Sequence, residues 1–217
     1  MAVTYQYAYS TGHLIYIGAA VRFRNHAARR APPWRLRGAL FPLIAYLKGV
    51  NNGRGKMTMA STSKAPQIGD KAPDFTLPGD GGSTVSLPAL RGKVVVLYFY
   101  PKDDTSGCTK EAIAFSEDAK RFRAAGAVVV GVSKDSASSH DKFKAKYGLK
   151  VGLASDVETK VASAYGVWVK KSMYGRTYMG MERATFLIDQ AGVIRNIWRK
   201  VRVQGHSAEV LAAVKAL

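Results

Sequence analysis

The chain has 217 residues, 47% of them hydrophobic, and one cysteine, enough for one well-packed domain and a tail. A lone cysteine excludes an internal disulfide and a thiolate metal site and suits a reducing compartment. The lack of any apolar run of ~18 residues argues against a membrane-spanning helix. The formal charge of +18 is uneven: residues 1–69 hold ten Lys/Arg and no Asp or Glu, against 23 Lys/Arg and 15 Asp/Glu in residues 70–217. In the latter part the excess is dispersed, in "KFKAKYGLK" and "RKVRV", as on solvated faces, and no nucleic-acid-binding motif accompanies it.

Residues 1–60 differ from the rest. "AVRFRNHAARRAPPWRLRG" is Arg-rich and acid-free, and "GALFPLIAYLKGV" is apolar but short and broken by Pro42. That composition is either a transit-like leader or a mis-assigned start, because Met57 and Met59 lie just before the first domain-like stretch. The second reading is preferred, and residues 1–60 are expected to be poorly ordered. The location is then cytoplasmic, and organellar if the leader is a transit peptide.

A domain is expected over residues 64–217. "APDFTLPGDGGSTVSL" reads as two short extended segments around a Gly/Asp turn. "KVVVLYFYP" is a continuous apolar run, as in a strand buried on both faces, ending at Pro101. One helix follows from about Gly107, with Cys108, Ala112, Phe115, Ala119 and Phe122 forming a stripe that Gly126 closes. "AVVVGVSKD" is the next buried strand, and "SASSHDKFKAKYGL" a helix with serine caps available. "GLASD" is a short strand, "ETKVASAYGV" a helix, "ERATFLIDQAGVIRNIWRKV" a hairpin turning in "DQAG", and "SAEVLAAVKAL" a terminal amphipathic helix. The alternation implies an α/β fold of thioredoxin type, a central mixed sheet flanked by helices.

Cys108 then sits where a strand gives way to a helix. The free N–H groups and the positive dipole end of that helix favour a thiolate, and the stripe leaves the sulfur only partly exposed. Thr105, three residues before it, carries a hydroxyl that can donate and accept, while Pro101 can shield the sulfur without offering a donor. Thiolate attack on an O–O bond develops charge on the leaving oxygen, which preorganised donors and a fixed cation such as an arginine would stabilise.

Pro101, Thr105 and Cys108 in "PKDDTSGC" match the P-x-x-x-T-x-x-C signature of peroxiredoxins. With "KSMYGRTYMG" and "RATFLID", the chain from about residue 64 resembles the bacterioferritin-comigratory, or Q-type, branch. The resemblance implies that Cys108 is the peroxidatic cysteine, Thr105 orients the peroxide, Pro101 covers the site and Arg183 supplies the cation. Glu111 would hold that arginine. It further implies hydrogen peroxide and organic hydroperoxides as substrates, an external thiol reductant (thioredoxin, glutaredoxin with glutathione, or a small thiol), no cofactor, no metal and a monomer. Two positions depart from the family pattern. Ser106 stands where "TPGC" would have proline, and Ile113 stands where many members carry the resolving cysteine. Five helical residues give about 7.5 Å of rise and roughly 140° of rotation, so a thiol there would need local unwinding to reach Cys108. No other cysteine exists, and a one-cysteine mechanism is expected.

Plainer readings compete. A lone cysteine is often a buried hydrophobe, and Arg183 by itself would pass for a surface arginine. Glu111 is equally an ordinary first-turn acid. Tyr98 and Tyr100 read as packing. The histidines at 13, 26, 140 and 206 lack metal-ligand spacing, with His140 and His206 expected on the surface near helix starts. "GDGG" at 79–82 reads as a turn, not a nucleotide loop. The alternative function is a thioredoxin-fold redox sensor or holdase that does not turn over. A third reading, a nucleic-acid-associated protein, would depend on residues 1–60.

Overall fold

The computed structural model describes residues 65–173 and 175–217, within the unit Lys56–Leu217. The expectations for residues 1–60, His13 and His26 concern residues outside those described. In chain order the strands are β1 (Thr76–Pro78), β2 (Thr84–Ser86), β3 (Val94–Phe99), β4 (Ala127–Ser133), β5 (Gly152–Ser155), β6 (Trp168–Met173), β7 (Arg176–Met181), β8 (Ala184–Ile188) and β9 (Ile194–Arg199). The helices are α1 (Ser106–Glu117), α2 (Ala119–Ala124), α3 (Ala137–Tyr147), α4 (Lys160–Ala164) and α5 (His206–Lys215). The central sheet has the order β5-β4-β3-β8-β9. β3, β4 and β5 run parallel, and β8 and β9 complete the sheet antiparallel.

All six residues of β3 are buried, because the central strand is covered on both faces. Val95, Leu97 and Phe99 pack with Phe75, Tyr165 and Phe186 on one side. Val94, Val96 and Tyr98 pack with Phe115, Phe122 and Val210 on the other. This is the twofold alternation of strand side chains expressed as two cores. The sandwich is the thioredoxin-like α/β arrangement expected.

The stripe Cys108, Ala112, Phe115, Ala119 and Phe122 is buried throughout, yet it runs over two helices, not one. Asp118 ends α1 and precedes α2, with φ −81° and ψ −1°. The hydroxyl of Ser207 lies 2.8 Å from the Asp118 carboxylate and 3.3 Å from the Ala114 carbonyl. The helical bond from Asp118 N to the Ala114 carbonyl is kept, at 3.2 Å, so Ser207 braces the junction between the two helices. Ser136 caps α3, its hydroxyl accepting from Ser139 N at 3.2 Å. Asp156, just past β5, accepts from Ala162 N at 2.7 Å and holds the short α4.

The histidine expectation is corrected. His140 and His206 do lie in the first turns of α3 and α5, but both are buried. His140 is paired with Asp103, and His206 Nε2 lies 2.8 Å from Thr185 Oγ1, so each has a partner that makes burial tolerable. The hairpin β6–β7 was absent from the reading of the sequence. Its strands, "WVKKSM" and "RTYMGM", are mostly exposed and show no sustained apolar alternation.

Tyr98 and Gly131 face each other across β3 and β4. A Cβ on Gly131 would lie 2.5 Å from Tyr98 Cζ and 2.6 Å from its hydroxyl oxygen, and the ring, stacked on Phe115 at 4.8 Å, has no room to retreat. Gly131→Ala is therefore expected to cost about 1–3 kcal/mol by overpacking. Urea unfolding checks this, and an unchanged midpoint would contradict the packing described.

Candidate active site

Arg183 immediately precedes β8, whose first residue, Ala184, pairs with Phe99 at the end of β3. The same end of β3 leads through Pro101 into the loop before α1. Two chain segments far apart in sequence are thereby brought to one point. Thr105 precedes α1 in an extended conformation (φ −94°, ψ 148°), and its carbonyl accepts from Thr109 N at 2.8 Å. Cys108 is the third helical residue, among those whose N–H groups have no intrahelical acceptor.

Cys108 is 2% exposed, more buried than expected. It packs in the core beneath α1, and Arg183 Nη2 lies 3.3 Å from Cys108 Sγ. A Cβ on Gly107 would lie 3.3 Å from the same nitrogen, so a side chain there would press on the arginine. Arg183 Nη1 donates to Glu111 Oε2, and that carboxylate is 1% exposed. Three of the residues singled out in the sequence, Cys108, Glu111 and Arg183, thus form one chain of contacts. Pro101 is half-buried and lines one open pocket together with Arg183. Thr105 is exposed, and its hydroxyl donates to the Lys102 carbonyl at 3.0 Å, leaving its lone pairs free to accept. Ile113 is half-buried against the helical core.

The sequence reading missed what holds the loop. Asp103 is buried and accepts from Tyr100 Oη at 2.7 Å, Ser139 Oγ at 2.8 Å and His140 Nδ1 at 2.9 Å. An ionised carboxylate only accepts, so His140 carries its proton on Nδ1. Burial pushes the Asp103 carboxyl up, but the bonds from His140 and Tyr100 outweigh it and hold the group below its usual range. Asp103 N donates to Asp135 Oδ2 at 2.8 Å, and the Asp104 carboxylate receives Lys146 Nζ at 2.7 Å. Asp104 is left-handed, with φ 57°, a strained conformation that these anchors sustain. Tyr100 is therefore more than packing. The bond between Tyr100 and Asp103 spans three residues, but that between Asp103 and His140 spans 37, beyond any local pattern.

The AhpC/TSA family model matches residues 68–197. The chain belongs to this family. Within it, the chain is 54% identical over 145 residues to the putative peroxiredoxin bcp of Coxiella burnetii, which covers 67% of this chain and 96% of that protein. It is 50% identical over 149 residues to peroxiredoxin Bcp of Bacillus subtilis, covering 69% and 95%. A solved structure of the bacterioferritin comigratory protein of Xanthomonas campestris, described in terms of alkyl peroxide reduction, aligns with a TM-score of 0.63 at 44% identity, covering 65% of this chain and 90% of that one. The chain is a peroxiredoxin of the Bcp/PrxQ branch, a thiol-dependent peroxidase.

In this peroxiredoxin, burial raises the Glu111 carboxyl to about 7, and the adjacent guanidinium only partly offsets it. A folded-state value above the unfolded one means that the folded chain keeps a proton the unfolded chain has released. The associated stability is fully present below about 4.5 and is lost as pH rises through about 7. The wild type is expected to lose a few kcal/mol between pH 5 and 8, and Glu111→Gln to flatten that slope. Urea unfolding across this range checks it, and parallel profiles for the two proteins would count against a buried carboxyl titrating here.

Proposed function

We propose that Cys108 performs the whole peroxidase cycle with one sulfur. Its thiolate attacks one oxygen of hydrogen peroxide or an organic hydroperoxide, the O–O bond breaks, and the other oxygen leaves as water or alcohol after taking a proton. Cys108 is left as a sulfenic acid. A first external thiol attacks that sulfur and expels water, giving a mixed disulfide. A second thiol releases the reduced enzyme and an external disulfide. The observation that carries the reading is Arg183 Nη2 at 3.3 Å from Cys108 Sγ, with Glu111 fixing the other end of the guanidinium. In this role Arg183 stabilises the thiolate and the charge on the departing oxygen, Thr105 orients the peroxide, and Pro101 excludes water.

Residues 64–217 form the catalytic domain in this proposal, acting as a cytoplasmic monomer, with thioredoxin, glutaredoxin with glutathione, or a small thiol as reductant. Among the described residues no helix is long and apolar enough to cross a membrane. With no second cysteine in the chain, a sensor that stops after one equivalent is the competing reading, and turnover separates the two.

With excess peroxide and a thiol donor, the wild type is expected to consume many equivalents and Cys108→Ser none. Arg183→Lys, which keeps the charge but loses the fork, should slow oxidation roughly a hundredfold. Stopped-flow and steady-state peroxide consumption read both, and a wild type that stops after one equivalent with every donor would establish the sensor instead. Because resolution depends on an external thiol, the sulfenic acid is open to further oxidation. Ile113→Cys should raise the peroxide concentration needed for inactivation several-fold, and no gain in resistance would argue that resolution is not limiting.

A further inference from the structure

Arg183, which touches the Cys108 sulfur, also lines an open pocket of about 410 Å³ whose lysines the steps above leave unused. It is lined by Pro101 and Arg183, by Val169, Lys170 and Lys171 of β6, and by Lys200 and Val201. None of the three lysines pairs with a carboxylate among the described residues. Lys171 Nζ donates only to the Met181 carbonyl, at 2.6 Å. The one acid in the lining, Glu182, is already matched by Arg199 Nε at 2.6 Å. Lys200 holds a left-handed backbone, φ 49°, that a lysine adopts at a cost.

These lysines line the pocket without a carboxylate partner, and a bound anion would supply the missing counter-charge. The apolar surfaces of Pro101, Val169 and Val201 suit a short carbon chain behind the anion. Hydrogen peroxide is neutral and has no use for such a pocket. A reactant with a charged tail does, and Arg183 reaches from the pocket wall to Cys108 Sγ. Since the chain has no second cysteine, every cycle must also draw two thiols from outside.

We propose that the pocket of Lys170, Lys171 and Lys200 binds the carboxylate tail of a small reactant whose reactive end is presented to Cys108. This rests on the peroxidase reading above. The tail belongs to the reducing thiol or to the hydroperoxide. In the first case the thiol forms an S–S bond with Cys108 as the sulfenic oxygen leaves as water. In the second the O–O bond breaks and the tail-bearing alcohol departs.

The test uses the full chain, wild type beside the double variant Lys170→Gln, Lys200→Gln. Lys171 is kept because it also holds the hairpin backbone. In one arm the Cys108 sulfenic acid is formed with one equivalent of hydrogen peroxide, and its loss is timed with glutathione, neutral 2-mercaptoethanol and cationic cysteamine. In the other, Cys108 oxidation is timed with hydrogen peroxide, a carboxylate-bearing hydroperoxide and the methyl ester of that hydroperoxide. Comparing wild type with variant for each reagent cancels intrinsic reactivity. The expected result is a loss of roughly five- to tenfold, erased by high salt, for the carboxylate reagents alone. A loss confined to glutathione assigns the tail to the thiol, and one confined to the charged hydroperoxide assigns it to the peroxide. No loss, or equal loss with neutral and charged reagents, overturns the proposal. A wild type that hydrogen peroxide fails to oxidise would sink the peroxidase reading instead.

Discussion

A guanidinium divided between a thiol and a carboxylate, all three largely removed from water, sets the terms for the rest of this molecule. Arg183 gives one nitrogen to Cys108 and the other to Glu111. Removing either partner from that geometry would leave a buried charge poorly matched, which is far costlier than keeping the pair. The arrangement requires the start of β8, the end of β3 and the first turn of α1 to meet within one side-chain length. The antiparallel pairing of Phe99 with Ala184 achieves that by register alone.

The loop between β3 and α1 must then hold its shape against the strain at Asp104. It does so through two acids, Asp103 in the buried cluster with Tyr100 and His140, and Asp104 bonded to Lys146 at the end of α3. The Tyr100 hydroxyl thus ties the sheet to the loop, while α3 supplies His140 and Ser139 from the other side. Preorganisation of this kind lowers the cost of orienting donors during the reaction. It also explains why His140 is buried without being a ligand or a base in the steps described.

The parts of the fold legible in the sequence were those driven by burial. The apolar run of β3 and the "DQAG" turn follow from local chemistry and lie where expected, and the stripe from Cys108 to Phe122 is buried as expected although it crosses from α1 into α2. Cys108 and its neighbours were readable because a strand end, a helix start and a hydroxyl fall within eight residues, Pro101 to Cys108. Arg183 carried no local signal, and only likeness to a family singled it out. The junction at Asp118 is braced by Ser207, 89 residues away. The pairing of His140 with Asp103 and the exposed hairpin β6–β7 depend on tertiary contacts that no periodicity reports. Lys200, in "RKVRV", read as part of a solvated face, and Lys170 and Lys171 carried no signal of their own, until the fold placed all three around one pocket.

The central claim, that a single sulfur completes the cycle with outside thiols, is most directly tested by intact mass spectrometry of the full chain during one turnover. Hydrogen peroxide is added first and glutathione second, with samples quenched in time. The account predicts the mass of one added oxygen, then of one glutathione in its place, then a return to the starting mass. A disulfide-linked pair of chains, or an oxidised species that never carries the thiol, would contradict it.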